Sequence, residues 1–297
     1  MNAVTKQQGG VFFLYGYGGT GKTYMWNTLA VALRSKRNIV LPVTTSGIAA
    51  LLLPDGRTSH SRFKILVPTL QSSTCNIEKG TDLAQLLKHT KLIIWDEAPM
   101  AHRFCFEALD RSLRDIMSVK GKASKLIFGG KVIVFGGDFR QILPVTPKGN
   151  RSDIIHSSIN SSYIWDHCKV LTLTKNMRLS NGQSQNPEDI KRFFEWILKI
   201  GDGKIGKGND GYYDIEIPRE FLITDFIDPI DAIVQATYPN LLENYQDCNF
   251  LRNRAILAST IQVVDNINNY VLNLLPGNIL IHILFYKKYY KMVLMFS

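Results

Sequence analysis

Gly16-Tyr17-Gly18-Gly19-Thr20-Gly21-Lys22-Thr23 is a complete GxxxxGK[ST] run, set between an apolar stretch, VFFLY, and an amphipathic one. Glycines let successive backbone N–H groups converge on phosphate oxygens, and the start of a helix adds a favourable dipole. In such a loop Gly16, Gly18, Gly19, Thr20 and Gly21 line the phosphates. Lys22 reaches the β and γ phosphates, and the Thr23 hydroxyl is placed to ligate Mg²⁺. The alternative is a plain glycine-rich turn, which the flanking strand and helix patterns argue against.

Three further segments place polar groups at the ends of apolar runs. Leu92-Ile93-Ile94-Trp95-Asp96-Glu97 ends in two acids with separable tasks: Asp96 can hold the Mg²⁺ shell, and Glu97 can orient and deprotonate a water. A water-activating carboxylate favours hydrolysis over phosphoryl transfer to a small acceptor. Val132 to Phe135 runs into Gly136-Gly137-Asp138-Phe139-Arg140-Gln141, where the Gln141 amide can bond a γ-phosphate and register its loss; a simple turn is the alternative. Arg178 follows the run VLTLT and is a candidate arginine finger, although one arginine after a strand reads by itself as an ordinary surface residue.

Two stretches carry groups suited to nucleic acid. Thr45, Ser46 and Gly47, entering a helix after a strand, suit backbone contacts to phosphate. Gly56 to Lys64 combines Arg57, Thr58, His60, Arg62, Phe63 and Lys64, which offer phosphate contact and base stacking, or else make a solvated charged loop. The charge balance agrees: 35 Lys and Arg face 25 Asp and Glu, and residues 1–200 hold 27 of the basic and 14 of the acidic groups. Such an excess favours polyanionic partners, with slight sequence preference and steep salt dependence.

These groups need elements to hold them. Short β-branched or aromatic runs alternate with helical patterns, which predicts an α/β fold: a parallel sheet with helices on both faces. The strands read as Val11 to Tyr15, Ile39 to Thr44, Leu92 to Trp95, Val132 to Phe135, Val170 to Leu173, Phe221 to Ile223 and Ala255 to Ala258. The helices read as Lys22 to Leu33, Ala84 to His89, Phe104 to Met117, Pro187 to Ile200, Pro229 to Thr237 and Val263 to Leu275. Phe106, Leu109, Leu113 and Ile116 recur at helical spacing and mark a core face. With 297 residues the chain is long enough for two domains. A first boundary is expected near Asn150 to Ser162, with the glycine-rich run Gly201 to Gly211 as a second candidate.

Cys75, Cys105, Cys168 and Cys248 are too widely spaced for a zinc knuckle or a redox pair, and the six histidines show no metal spacing, so no structural metal is expected. The uncharged stretch Asn266 to Tyr286 is broken by asparagines, Pro276 and Gly277, and a soluble chain is the working reading.

In order along the chain, GYGGTGKT, TTSGIAA, GRTSHSRFKI, KLIIWDEAPM, FGGKVIVFGGDFRQILPV and LTLTKNMR resemble the petite integration frequency (Pif) family of superfamily 1 DNA helicases, most of all its plant and Helitron-transposon copies. The likeness runs from about Val11 to about Leu275. It implies a P-loop NTPase of RecA-like fold, with motor domain 1A over residues 1–160, a partial second RecA-like domain 2A over 161–277 and an atypical tail over 278–297. It also implies ATP and Mg²⁺ as cofactors and 5′-to-3′ unwinding by a monomer acting on single-stranded DNA and duplex junctions, away from membranes. The settings it suggests are repair, recombination or telomere maintenance, in the nucleus or else the mitochondrion. Position by position it puts Lys22 and Thr23 on nucleotide and Mg²⁺, Asp96 on Mg²⁺, Glu97 as base, Gln141 as γ-phosphate sensor and Arg178 as finger.

The sequence departs from the family at Tyr17, where a proline is usual, and it lacks the family's glutamine-bearing adenine segment and its late motifs. The expectation is a chain that binds ATP·Mg²⁺ and unwinds DNA poorly. The alternative is a nucleotide- and DNA-binding remnant without unwinding. A kinase or GTPase is disfavoured, because no NKxD guanine-reading motif is present.

Overall fold

The computed structural model describes residues 2–5, 9–118, 125–177, 187–209 and 212–276. The chain divides into two compact units, Met1–Gly206 and Lys207–Ser297.

The first unit is built on a six-stranded sheet of order β3-β2-β4-β5-β1-β6, every pair parallel. Its strands are β1 (Gly10–Tyr15), β2 (Ile39–Thr44), β3 (Arg57–Thr58), β4 (Thr90–Asp96), β5 (Val132–Gly137) and β6 (Cys168–Thr172). The five strands expected in this region are all present, and β3 is an addition too short to carry a pattern. Helices α1 (Asn2–Thr5), α2 (Lys22–Arg34), α3 (Ser59–Phe63), α4 (Asp82–His89), α5 (Arg103–Met117), α6 (Arg151–Ser157) and α7 (Pro187–Gly201) accompany it.

Burial on both faces explains why the strands read as nearly continuous apolar runs. Phe13, Val43, Ile93, Trp95, Ile133 and Phe135 join one core with Phe106, Leu109 and Leu113 of α5. The alternate residues Leu14, Val40, Leu92, Ile94 and Val132 join the other, with Trp26, Ala30 and Leu33 of α2. Trp26, Ala30 and Leu33 recur at helical spacing, so one stripe of α2 covers the sheet. Helix α5 is tied to the following chain through Asp110. That buried carboxylate accepts from Arg114 Nε, from the Phe128 N–H and from the Tyr163 hydroxyl at 2.7 Å.

The strand ends are in register. Thr44 pairs with Asp96, and Tyr15 pairs with both Gly137 and Thr172, so the polar segments that follow β1, β2, β4, β5 and β6 leave along one edge. Ligands of open α/β sheets bind at this carboxyl edge.

Two expectations are corrected. The boundary falls after Gly206 rather than near residue 160, because β6 hydrogen-bonds to β1 and belongs to the first sheet. The glycine-rich run, not the polar segment before β6, marks the division. In the second unit Phe221 to Ile223 and Ala255 to Ala258 are not strands: the first overlaps a 3₁₀ turn, Arg219–Phe221, and the second is irregular. A short apolar run alone does not specify a strand, and here Phe221, Leu222, Ile223 and Leu257 are exposed rather than packed in a sheet. The strands of this unit, among the described residues, are an antiparallel pair, β7 (Lys207–Asn209) and β8 (Tyr212–Asp214). Its core lies among α8 (Pro229–Thr237), α9 (Leu241–Asn244), α10 (Cys248–Arg252) and α11 (Ile261–Leu274), through Val234, Tyr238, Leu251 and Ile267. The tail from Asn278 lies outside the described residues.

Candidate nucleotide site at the carboxyl edge of the sheet

The turn between β1 and α2 has the form its glycines permit. Gly19 and Gly21 have φ of 85° and 90°, a region closed to most side chains. Gly21 caps α2 and supplies no side-chain hydrogen bond, so the free N–H groups of the first helical turn point into the loop. Lys22 is buried to 8% exposure, and its ammonium donates to the Gly16 carbonyl at 2.6 Å. The Thr20 hydroxyl donates to the Tyr17 carbonyl at 2.7 Å, which closes the turn from within. Thr23 is exposed on the first turn of α2.

Asp96 ends β4 and is 7% exposed; Glu97 follows it with φ 51° and ψ 39°. Asp96 Oδ1 and Glu97 Oε2 are buried and make no hydrogen bond among the described residues. Burial raises the Asp96 carboxyl, against the pull of the Trp26 indole and the Lys22 ammonium. Glu97 is pushed up to about 7, by burial first and then by the neighbouring charge of Asp96, with Asp138 adding to the rise and Lys22 opposing it. One carboxylate beside a cation and a second poised near neutrality suit a charge-holding group and a proton acceptor. Gly136, at the end of β5, permits this arrangement: a Cβ there would lie 2.2 Å from Trp26 Cζ2 and 3.3 Å from Asp96 Oδ1.

The 136–141 segment completes one side. Asp138 is buried and Gln141 exposed, and both line a cavity of about 500 Å³ with Tyr17, Gly18, Arg140 and Phe194. Arg140 sits 5.7 Å from the ring centres of Tyr15 and Tyr17, and its Nε donates to Asp202 at 2.5 Å. Tyr17 in turn packs on Phe194 and donates its hydroxyl to the Thr174 carbonyl, while the Met177 N–H donates to the Gly19 carbonyl at 2.8 Å. The loop is thus bonded directly to the segment that leads to Arg178. Arg178 itself lies outside the described residues.

The family model of the PIF1-like helicases matches residues 1–211. The chain belongs to this family. It is 32% identical over 149 residues to the ATP-dependent DNA helicase PIF4 of Trypanosoma brucei brucei, covering 49% of this chain and 18% of the relative. To the ATP-dependent DNA helicase Pif1 of a Psychrobacter species it is 27% identical over 222 residues, covering 71% and 32%. Among solved structures it is similar to the Pif1 helicase from Bacteroides in complex with ADP-AlF3 and ssDNA, with a TM-score of 0.63 and 22% identity over 94% of this chain and 56% of that one. The chain therefore spans about a third or less of these two curated relatives' length. The match of folds supports the RecA-like reading of the parallel sheet.

Within this PIF1-like fold the expected nucleotide groups Lys22, Asp96, Glu97 and Gln141 all lie on the carboxyl edge of the sheet. The residues expected at DNA are placed less simply. Gly47 is exposed, and a Cβ on it would reach the Thr58 methyl at 3.9 Å, so the two stretches adjoin. The Ser46 and Thr58 hydroxyls accept backbone N–H groups, and the Thr45 hydroxyl is engaged at β4. His60 is half-buried, 3.8 Å from Cys105 Sγ, and burial lowers its pKa. Phe63 is fully buried against Trp95, with ring centres 5.9 Å apart, so it is a core residue and not a stacking platform. Arg57 and Lys64 keep their exposure.

Sequence reasoning placed Thr45 at DNA and Tyr17 only as a position of the glycine loop, missing the bonds that tie both into the nucleotide edge, and it assigned Arg140 no role. Arg140 carried a signal, as the residue next to Gln141; the bonds of Tyr17 and Thr45 join residues 157 and 52 positions apart and leave none. Among the described residues no group of three His, Cys, Asp or Glu could hold a metal, and no helix is long and apolar enough to cross a membrane.

Proposed function

We propose that this chain is the motor part of an ATP-dependent DNA helicase, hydrolysing ATP in response to single-stranded DNA and moving 5′ to 3′. The observation that carries the reading is the convergence of the Lys22 loop with Asp96 and Glu97 at one edge of the sheet. The similar Bacteroides Pif1 helicase is in complex with ADP-AlF3 and ssDNA, which supports the same ligand classes here.

In this reading the triphosphate lies on the N–H groups of the loop and of the first turn of α2. Lys22 gives up the Gly16 carbonyl for phosphate oxygens. Glu97 takes the proton of the attacking water, and Gln141, at the cavity wall, bonds the γ-phosphate and registers its loss. Thr23 and the unpartnered Asp96 Oδ1 would hold magnesium, a set of one or two protein oxygens that fits an ion carried in on phosphates. When bound, the ion neutralises phosphate charge. Arg178 is the proposed finger.

DNA would be held near Thr45, Ser46, Gly47, Thr58 and His60 chiefly through backbone and basic groups, given that Phe63 is buried. The assay is ATP turnover with and without single-stranded DNA. DNA-independent turnover would count against a motor.

A second reading, a nucleotide- and DNA-binding unit that does not unwind, is favoured by one observation: the described residues of the second unit contain no parallel sheet. Strand displacement on a tailed duplex separates the two: ATP-dependent displacement supports the motor, and turnover without displacement supports the second reading.

A further inference from the structure

Thr45 lies at the exit of β2 and makes three bonds to the exit of β4. Its N–H donates to the Asp96 carbonyl at 3.3 Å, and its hydroxyl donates to the Glu97 carbonyl at 2.9 Å while accepting the Trp95 indole N–H at 3.2 Å. These contacts fall on three consecutive residues, the last being the proposed base.

Glu97 adopts a left-handed backbone, uncommon for a residue with a Cβ and disfavoured by contact of that Cβ with the backbone. Such a conformation persists only where its surroundings hold it. Two bonds to the Glu97 carbonyl do so: the Thr45 hydroxyl at 2.9 Å and the Met100 N–H at 3.2 Å, which closes the 3₁₀ turn Ala98–Met100. The second is local to the turn. The first alone ties the turn to the neighbouring strand, and it comes from a residue whose sequence context points to DNA phosphate instead.

The Trp95 side chain is itself fixed, being fully buried with its ring packed on Phe63, Phe106 and Phe135. Its indole N–H therefore presents a stationary donor, which sets the Thr45 hydroxyl in the one rotamer that sends its own proton to Glu97. The chain of donors runs Trp95 to Thr45 to Glu97.

We infer that Thr45 is a positioning residue for hydrolysis, its hydroxyl relaying the rigidity of the Trp95 core to the backbone turn that aims the Glu97 carboxylate. This rests on the proposed ATP hydrolysis by Glu97. Thr45 touches no reacting atom, so its loss acts on turnover and leaves nucleotide binding in place.

The test compares the parent chain with Thr45→Val, which keeps the shape and removes the hydroxyl, Thr45→Ala, and Thr45→Ser, which restores the hydroxyl. Turnover of Mg·ATP at saturating single-stranded DNA, set separately for each variant, gives kcat and KM, and the four tryptophan indole N–H signals are followed by ¹⁵N NMR. Expected in Thr45→Val and Thr45→Ala is a fall in kcat of tenfold or more with KM for ATP within twofold, a displaced Trp95 indole signal, and recovery of both in Thr45→Ser. An active parent with an equally active Thr45→Val overturns this inference alone, as does a Thr45→Ser chain as impaired as Thr45→Val. A rise in KM that matches the fall in kcat also overturns it, by making the defect a general one. A parent chain without turnover overturns the inference together with the reading beneath it.

Discussion

The Lys22 ammonium and the Gly16 carbonyl, six residues apart across the glycine loop, are joined by a hydrogen bond of 2.6 Å. The cation thus holds the loop in the shape that a phosphate would occupy, and binding exchanges one oxygen for another. Lys22→Ala removes both the loop's internal clasp and its charge. We expect affinity for a fluorescent ATP analogue to fall at least tenfold, about 1.4 kcal/mol or more, while Glu97→Gln binds as the parent does. Equal loss in both variants would contradict the separate roles.

Glu97 gives a pH dependence with a definite sign. Its carboxyl is raised from 4.5 to about 7 on folding, so the protonated form is favoured in the folded state. Stability from this group is complete below about 4.5 and is lost as pH rises through about 7, at a cost on the order of 3 kcal/mol for the ionised form. Glu97→Gln should therefore raise the melting temperature at pH 8 by several degrees and change it little at pH 4.5, as read by thermal scans at the two pH values. The same carboxyl must be ionised to take a proton, so turnover should fall on the acid side of its pH profile and the fall should be absent from the residual rate of Glu97→Gln.

Gly136 makes room for Trp26 beside Asp96. Gly136→Ala would drive a Cβ to 2.2 Å from a ring atom that the core does not let move freely. A loss of about 1–3 kcal/mol in urea unfolding is expected, with turnover falling as Trp26 is pushed toward the carboxylate. A variant as stable and active as the parent would show that the ring relaxes at no cost.

Asp110, on α5, collects three donors while 1% exposed. Asp110→Ala strands the Phe128 N–H and the Tyr163 hydroxyl and frees Arg114, for an expected loss on the order of 3 kcal/mol in chemical denaturation. The Tyr163 hydroxyl, pushed well above its ordinary range chiefly by burial with Asp110 adding to the rise, should return toward that range in the variant, which an ultraviolet titration reads.

The first unit was legible because its strands are buried on both faces and each ends in a polar motif, so GYGGTGKT, WDE and GGDFRQ announced both the sheet and its carboxyl edge. The helices were legible by period: Trp26, Ala30 and Leu33 cover one face and Phe106, Leu109 and Leu113 the other. What failed was reading that depended on partners distant in sequence. The strand at Cys168 joins β1 through backbone bonds that no side chain declares, which moved the boundary by some 46 residues. Phe63 sits among basic and hydroxylic residues yet turns inward onto Trp95, since one aromatic ring on a five-residue helix has no periodicity to show its face. In the second unit, Phe221 to Ile223 and Ala255 to Ala258 lack the strand neighbours that make an apolar run a strand.

The Lys22 loop and Glu97 are proposed to form one hydrolytic site that answers to DNA. Steady-state phosphate release from Mg·ATP, with and without a single-stranded oligonucleotide, decides this when the parent is compared with Glu97→Gln at equal nucleotide occupancy. The prediction is turnover stimulated by the oligonucleotide in the parent and lowered by about 10² to 10⁴ in Glu97→Gln. Phosphate release by Glu97→Gln at the parent's rate, or a parent that releases none at saturating ATP and oligonucleotide, would contradict it.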